Sequence, residues 1–181
     1  LKAEMRLMLD EELARAILIG DGRQQTAEDK IDEECIKPIW KDDDFYALHK
    51  VADKSQSYTQ LVDDIVRGMA DYRGTGRPTL FVPPSVLTEL LLIKDESNSN
   101  RRLYHTQEEL ASALRCSSIV EVPVLENQKR TVSAVERQLT GIAVNLDDYT
   151  IGADKGGEIS MFDDFDIDYN QQKYLIETFV S

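Results

Sequence analysis

The clearest candidate ligands for a metal ion lie near the end of the chain, where aspartates alternate with apolar residues. Residues 164–170, DFDIDYN, begin like the calcium loop of an EF-hand. That loop also needs glycine at its sixth position and a bidentate glutamate at its twelfth, where this chain has Tyr169 and Leu175. We therefore reject the EF-hand and predict no metal-ligating residues. A loosely bound Ca²⁺ or Mg²⁺ on one strand face stays open.

Adjacent acids also occur at Asp42-Asp43-Asp44, at Asp63-Asp64 and at Asp147-Asp148. Neighbouring side chains point in different directions on a helix or a strand, so such groups are poor chelators and predict solvated surface. A metal-dependent hydrolase or nuclease would need carboxylates that converge from separate strands. We keep that enzyme as an alternative function that uses the clustered aspartates.

Catalytic bases and nucleophiles are few. His49 and His105 are the only histidines, one in a polar connection and one just before a helix start, and both are expected to be surface or capping-region residues. Cys35 and Cys116 lack C-x-x-C spacing and a neighbouring base, which indicates reduced thiols, although the sequence leaves a disulfide open. We predict no catalytic residues and no enzyme activity.

The glycine-rich turns do not resemble phosphate-binding loops. Gly20-Asp21-Gly22 and Gly74-Thr75-Gly76 each follow a helical pattern and continue into neither G-x-x-G nor G-K-[ST]. Glycine in that position ends a helix. The G-x-S-x-G motif of many hydrolases is also missing from the sequence. We predict no cofactor and no cofactor-binding residues.

The charge balance bears on partners. The chain has 181 residues, 34 acids against 21 bases, and a net charge of −13. Nucleic-acid binding depends on neutralising phosphates, so sequence-specific DNA or RNA recognition is not expected. No apolar run approaches the roughly 20 residues of a membrane span, and the mixed charges of residues 1–10 do not resemble a signal peptide.

Helical periodicity and capping residues predict four helices. Gly20-Asp21-Gly22 ends the first, Ser57 and Thr106 open capping boxes before the second and fourth, and Ser85 is expected to cap the third. The predicted helices cover residues 1–17, 61–72, 85–93 and 107–115.

Strand signals dominate the second half, and residues 23–56 are predicted to be a long connection with a short edge strand at 36–39. Residues 95–100 are predicted to be a polar loop, and residues 127–138 a loop or short helix. The predicted strands are 79–82, 119–124, 141–146, 158–162, 165–169 and 174–180. Helices and strands interleave without a βαβ rhythm, so the predicted fold class is α+β.

The sequence blocks at 11–22, 77–85, 143–152, 162–170 and 174–178 together resemble the major capsid proteins of tailed phages with the Hong Kong 97-type fold. Residues 11–22, EELARAILIGDG, resemble the end of the family's spine helix and the turn after it. Residues 77–85, RPTLFVPPS, followed by a leucine-rich helix, resemble the strand-to-helix step of its axial domain. Residues 143–152 and 162–170, together with the segment 174–178, resemble its late strands.

The resemblance implies a shell subunit that assembles into pentamers and hexamers. It implies an axial-domain-like mixed sheet flanked by helices and preceded by the end of a long spine helix. The expected domains are residues 1–22, the end of the spine helix and remnant of the peripheral domain; 23–56, a long connection; and 57–181, the axial-domain-like core.

The same resemblance implies location in the virion capsid, and in the cytoplasm of the bacterial host before assembly. The expected partners are other copies in capsomers, with scaffold, portal or head–tail proteins as further candidates, and neither membrane nor specific nucleic acid. The chain is expected to be a fragment, since nothing in it corresponds to the family's amino-terminal arm, extended hairpin loop or most of its spine helix. A phage head–tail adaptor remains a further alternative.

Overall fold

In a computed structural model, the chain forms two compact units, one of residues 1–43 and 151–181 and one of residues 44–150. The structure describes residues 1–24, 26–28, 30–32, 36–53, 55–95, 101–132, 134–149, 159–166 and 171–178. The mixture of helices and small sheets confirms the α+β class. These units have other boundaries than the domains 1–22, 23–56 and 57–181, which stay a prediction.

The described elements are short, apart from the first helix. The helices are α1 (Lys2–Leu18), α2 (Tyr58–Met69), α3 (Pro84–Leu91) and α4 (Gln107–Ala113). The strands are β1 (Thr79–Val82), β2 (Ser118–Glu121), β3 (Lys129–Val132), β4 (Val135–Gln138), β5 (Ile142–Val144), β6 (Ser160–Asp166) and β7 (Gln171–Glu177). Single-turn 3-10 helices cover Ile39–Lys41, Pro123–Leu125 and Leu146–Asp148. No helix within the described ranges is long and apolar enough to cross a membrane.

The unit of residues 1–43 and 151–181 joins α1 to the antiparallel hairpin β6–β7. Lys2 Nζ lies 5.4 Å from the centre of the Tyr174 ring and 3.8 Å from the Asp163 carboxylate. Ala16 and Leu18 are buried near the other end of the helix. The predicted apolar stripe is therefore buried mainly at its C-terminal end, while Leu1, Leu7 and Met8 are exposed.

The unit of residues 44–150 is built on a mixed three-stranded sheet in the order β2-β1-β5. β1 pairs parallel to β2 and antiparallel to β5. Helices α2, α3 and α4 contribute to one apolar core with this sheet, and Leu90, Leu110 and Leu114 in it are fully buried. Val82 on β1 is 1% exposed, so the central strand is firmly held in this core.

Capping residues fix the helix ends. At α2, the Ser57 hydroxyl accepts from the Gln60 amide and the Gln60 side chain accepts from the Ser57 amide, which confirms the predicted capping box. At α4, Thr106 accepts from the Glu109 amide, but the Glu109 carboxylate bonds the amide of His105 instead of Thr106. The first helix ends where predicted, with Gly20 in the left-handed region at φ +87.

Two local predictions near prolines are wrong. Residues 36–39 form no strand, because Pro38 lacks an amide and its carbonyl starts a 3-10 helix by accepting from the Lys41 amide. Ser85 does not cap α3, which begins one residue earlier at Pro84. The Ser85 hydroxyl instead donates to the Glu126 carboxylate at 2.6 Å.

The largest error concerns residues 127–138, which are neither a loop nor a short helix. They contain the antiparallel hairpin β3–β4, in which Val132 and Val135 are the last cross-strand partners. The described parts of the predicted strands 158–162 and 165–169 form one strand, β6, which continues through Phe165 to Asp166. Residues 158 and 167–169 lie outside the described residues. The predicted loop at 95–100 lies outside the described residues except for Asp95.

Candidate functional site

His49 is held between an acid and an arginine. Its Nδ1 lies 2.5 Å from Asp44 Oδ1, and Arg130 Nη1 donates to its Nε2 at 3.4 Å. A guanidinium can only donate, so Nε2 accepts and Nδ1 donates to the Asp44 carboxylate. Both ring nitrogens are thus engaged by the protein. The geometry suits a link between the segment after Asp43 and strand β3 better than a proton-transferring base.

His105 and Cys116 occupy structural positions. The backbone amide of His105 takes part in the start of α4 through Glu109, which matches its expected place beside a helix cap. Cys116 is 2% exposed and free, and burial raises the pKa of its thiol to about 11. A thiol with that pKa is almost wholly protonated at neutral pH and is a poor nucleophile. Cys35 lies outside the described residues.

The turn Gly74-Thr75-Gly76 does receive an anion, but the anion is a carboxylate of the same unit. Asp148 accepts from the Thr75 hydroxyl at 2.7 Å and from the Thr75 amide at 2.9 Å. Asn145 Nδ2 donates to the Thr75 carbonyl at 2.6 Å. The two hydrogen bonds from Thr75, led by the one from its hydroxyl, hold the pKa of Asp148 below its ordinary value.

Gly74 lies close to the ends of the Tyr72 and Asp148 side chains. A Cβ at this position would collide with the Tyr72 hydroxyl and would lie 2.5 Å from Asp148 Oδ2. Any side chain at position 74 would therefore displace the carboxylate that ties the turn to residues 145–148. The predicted role of these glycines as helix terminators is therefore only part of their use. Both oxygens of Asp148 are engaged by Thr75.

Asp21, between two glycines, forms the most enclosed polar cluster in the described chain. Its side chain has no exposed surface and accepts from the amide of Ile31 at 2.8 Å, from the amide of Arg23 at 3.2 Å and from Lys30 Nζ. Burial works to raise the pKa of Asp21, but the hydrogen bonds from Lys30, Ile31 and Arg23 outweigh it and lower that pKa. The cluster fastens the start of the long connection to the end of α1.

An open, polar cleft of about 610 Å³ lies beside the start of α2. Asp53, Asp63 and Asp64 line it, but Asp64 pairs with Arg67 at 3.2 Å and Asp53 accepts from the Ser55 hydroxyl at 2.7 Å. Within the described ranges no group of three histidines, cysteines or acids is placed to hold a metal ion. Residues 167–170 of the EF-hand-like run lie outside those ranges.

Strands β3 and β4 carry a basic surface that the sequence analysis missed. We call this element, residues 129–138, the basic hairpin. Lys129 pairs with Glu136 at 3.1 Å, while Arg130 and Arg137 face each other as cross-strand partners. Arg137 Nε is buried and has no hydrogen-bond partner among the described residues. Two cations opposite each other destabilise a hairpin unless an anion lies near them.

A sequence signal for this hairpin exists, but it is weak. Thr131 and Val132 end β3 and Val135 begins β4, so residues that favour strands flank a connection of two residues. Hairpin turns of this length usually contain Asn-Gly or Asp-Gly, whereas here Ala134 takes φ +63. Because no glycine lies between Val132 and Val135, the sequence did not indicate a hairpin, and a loop or short helix was predicted.

Comparison with known proteins gives no relative: no family model, no curated protein and no solved structure matches the chain.

Proposed function

We propose that the chain is a structural subunit of the icosahedral head shell of a phage or prophage. The observation that supports this function best is the division of the chain into two units. Helix α1, which resembles the end of a spine helix, lies in one unit, and the block 77–85 lies in the other. In the Hong Kong 97-type family the spine helix belongs to the peripheral domain and that block to the axial domain.

The local structure of the block 77–85 supports the proposal. β1 is the central strand of its sheet, and the chain passes through Pro83 directly into α3. Val86, Leu87 and Leu90 on that helix are buried in the core. A short central strand leading into a leucine-rich helix is a common arrangement, so it supports the proposal only together with the division into units.

The proposed function places the activity in contact surfaces between copies. The expected products of assembly are pentamers and hexamers, located in the virion after assembly and in the host cytoplasm before it. Scaffold, portal or head–tail proteins are further proposed partners. A net charge of −13 fits a shell that releases its genome, because an acidic surface repels packed DNA. We propose no catalytic centre and no cofactor.

Electron microscopy of the full-length gene product tests the proposal directly. Expressed alone or with its neighbouring genes, it is expected to form capsomers or closed shells of uniform size. A matched control is the Leu90→Asp variant, which places a charge at a fully buried position and should form no particles. A wild-type product that is folded by circular dichroism but forms neither capsomers nor shells under these conditions contradicts the proposal.

Particle composition separates the shell subunit from a head–tail adaptor. Quantitative mass spectrometry of purified heads should find the chain as the most abundant protein, because a shell is tiled by many copies of its subunit. An adaptor occurs only at the junction between head and tail. A copy number far below that of another head protein would therefore favour the adaptor.

A further inference from the structure

Strand β2 forms an open edge of the three-stranded sheet in the unit of residues 44–150. The order β2-β1-β5 leaves its outer side without a neighbouring strand among the described residues. On its inner side, the Val122 amide donates to the Val82 carbonyl of β1 at 2.9 Å. Alternate residues of a strand direct their backbone groups to opposite sides, so those of Val120 also face β1. The backbone groups of Ile119 and Glu121 therefore face the open edge.

One backbone group on this edge already has a side-chain partner. Gln107 Nε2 donates to the Ile119 carbonyl at 2.6 Å, which agrees with the outward direction of that carbonyl. A carbonyl has two lone pairs, so Ile119 can accept a second hydrogen bond. Glu121 is exposed, and its outward amide has no acceptor among the described residues. A strand edge with such unpaired groups is a template on which another strand can pair.

A charge of opposite sign lies at each end of the edge. A cavity of about 310 Å³ lies beside the start of β2, and its lining includes Ser117, Arg77 and Glu108. Arg77 is exposed, and its side chain makes no ion pair or hydrogen bond with the described residues, Glu108 included. Glu121, at the other end of β2, is also exposed, and its carboxylate is unpaired in the described part of the chain. Each copy therefore carries a cation and an anion whose charges are not neutralised locally.

We propose that β2 of one copy pairs antiparallel with β2 of a second copy, about a two-fold axis at Ile119. In this register Glu121 lies opposite Ser117 of the second copy, beside the cavity that Arg77 lines. A two-fold contact repeats each pair, so carboxylate and guanidinium meet twice. Pairing centred on Val120 would instead place Glu121 opposite the apolar Ile119 and leave both charges unpaired.

The same register also joins the outer faces of the two strands. Val120 is 39% exposed and lies, with the exposed Ser118, on the face opposite the buried Ile119. Across the axis, Val120 of one copy comes opposite Ser118 of the other. Two three-stranded sheets then join into one continuous sheet, and an open edge of each is covered. The inference rests on the proposed shell function only in that both require copies of the chain to meet.

Sedimentation equilibrium of the 181-residue chain measures the contact. The wild type is expected to dimerise. Arg77→Glu and Glu121→Arg should each weaken the dimer by about tenfold or more, because each brings two like charges together twice. Arg67→Glu makes the same charge change at a side chain that is 77% exposed on α2, and should leave dimerisation unchanged. Glu121→Pro removes the outward amide but no hydrogen bond to β1, and should also prevent dimerisation.

A charge exchange separates a lost contact from a lost fold. An equimolar mixture of Arg77→Glu and Glu121→Arg should form a heterodimer, because every carboxylate then faces a guanidinium again. The chain that carries both substitutions should dimerise with itself for the same reason. A wild-type chain that stays monomeric to about 1 mM, or two reversals that do not restore association, overturns the proposal.

The two proposals fail separately. A 181-residue chain that stays monomeric, together with a full-length product that forms shells, would remove this interface and keep the shell function. Dimerisation that depends on Arg77 and Glu121, together with a full-length product that never forms particles, would keep the interface and remove the shell function.

Discussion

At the scale of single residues, Asp21 shows how a buried charge can be kept ionised. It is the only buried polar or charged residue among those that the structure describes. Two backbone amides and the ammonium of Lys30 replace the water that the carboxylate has lost. A sequence reading cannot anticipate this, because Lys30 is nine residues away and no periodic pattern links it to Asp21.

Replacing this carboxylate should be costly and should change the response to acid. We expect Asp21→Asn to lower the free energy of unfolding by about 3 kcal/mol, because it removes the negative charge from a nearly buried ion pair with Lys30. The pKa of Asp21 is lowered by folding, so its contribution is present above its unfolded pKa, near 4, and is lost as pH falls through the folded pKa.

Urea unfolding at about pH 7 and about pH 3 measures both effects. The difference in the free energy of unfolding between wild type and Asp21→Asn should be large at the higher pH and smaller at the lower one. Asp53→Asn is the matched control, because hydrogen bonds from Ser55 also lower the pKa of Asp53, yet that carboxylate is exposed. If Asp53→Asn is as unstable as Asp21→Asn, burial of the carboxylate is not the cause of the lost stability.

At the scale of elements, the sequence predicted correctly those helix ends and strands that depend on neighbouring residues. The reciprocal bonds of Ser57 and Gln60, the strand at Thr79–Val82 and the glycine end of α1 all follow from residues within a few positions of one another. The basic hairpin was missed because its turn lacks the expected glycine. The cross-strand pairing of Arg130 with Arg137 depends on that turn.

The strained turn of the basic hairpin should be improved by glycine. Ala134 is exposed and has φ +63, where a Cβ costs about 1–2 kcal/mol. After the greater chain entropy of glycine is subtracted, we expect Ala134→Gly to raise the free energy of unfolding by about 0.5–1 kcal/mol. Ala113→Gly in α4 is the opposite control and should lower it by up to about 1 kcal/mol. Thermal unfolding measures whether each variant gains or loses stability. A loss of stability in both variants would contradict the positive φ of Ala134.

At the scale of the whole molecule, the α+β class could be predicted because helices and strands interleave in the sequence without a βαβ rhythm. The association of α1 with β7 could not, since it joins segments separated by more than a hundred residues. The same limit applies to the candidate sites. Sequence reasoning could assess adjacent acids, but it could not see that Asp148 is bound to Thr75 or that Arg130 faces Arg137.

The two units should differ in their ability to fold alone. The apolar core made by α2, α3, α4 and the three-stranded sheet draws its residues entirely from 44–150. We therefore expect residues 44–150, expressed alone, to unfold cooperatively on heating with the circular dichroism of a mixed fold. Residues 1–43 alone should show little helix, because an isolated helix of this length is marginal in water and its partner β7 is absent. Heat-induced melting of 44–150 without a cooperative transition would show that its core needs the rest of the chain.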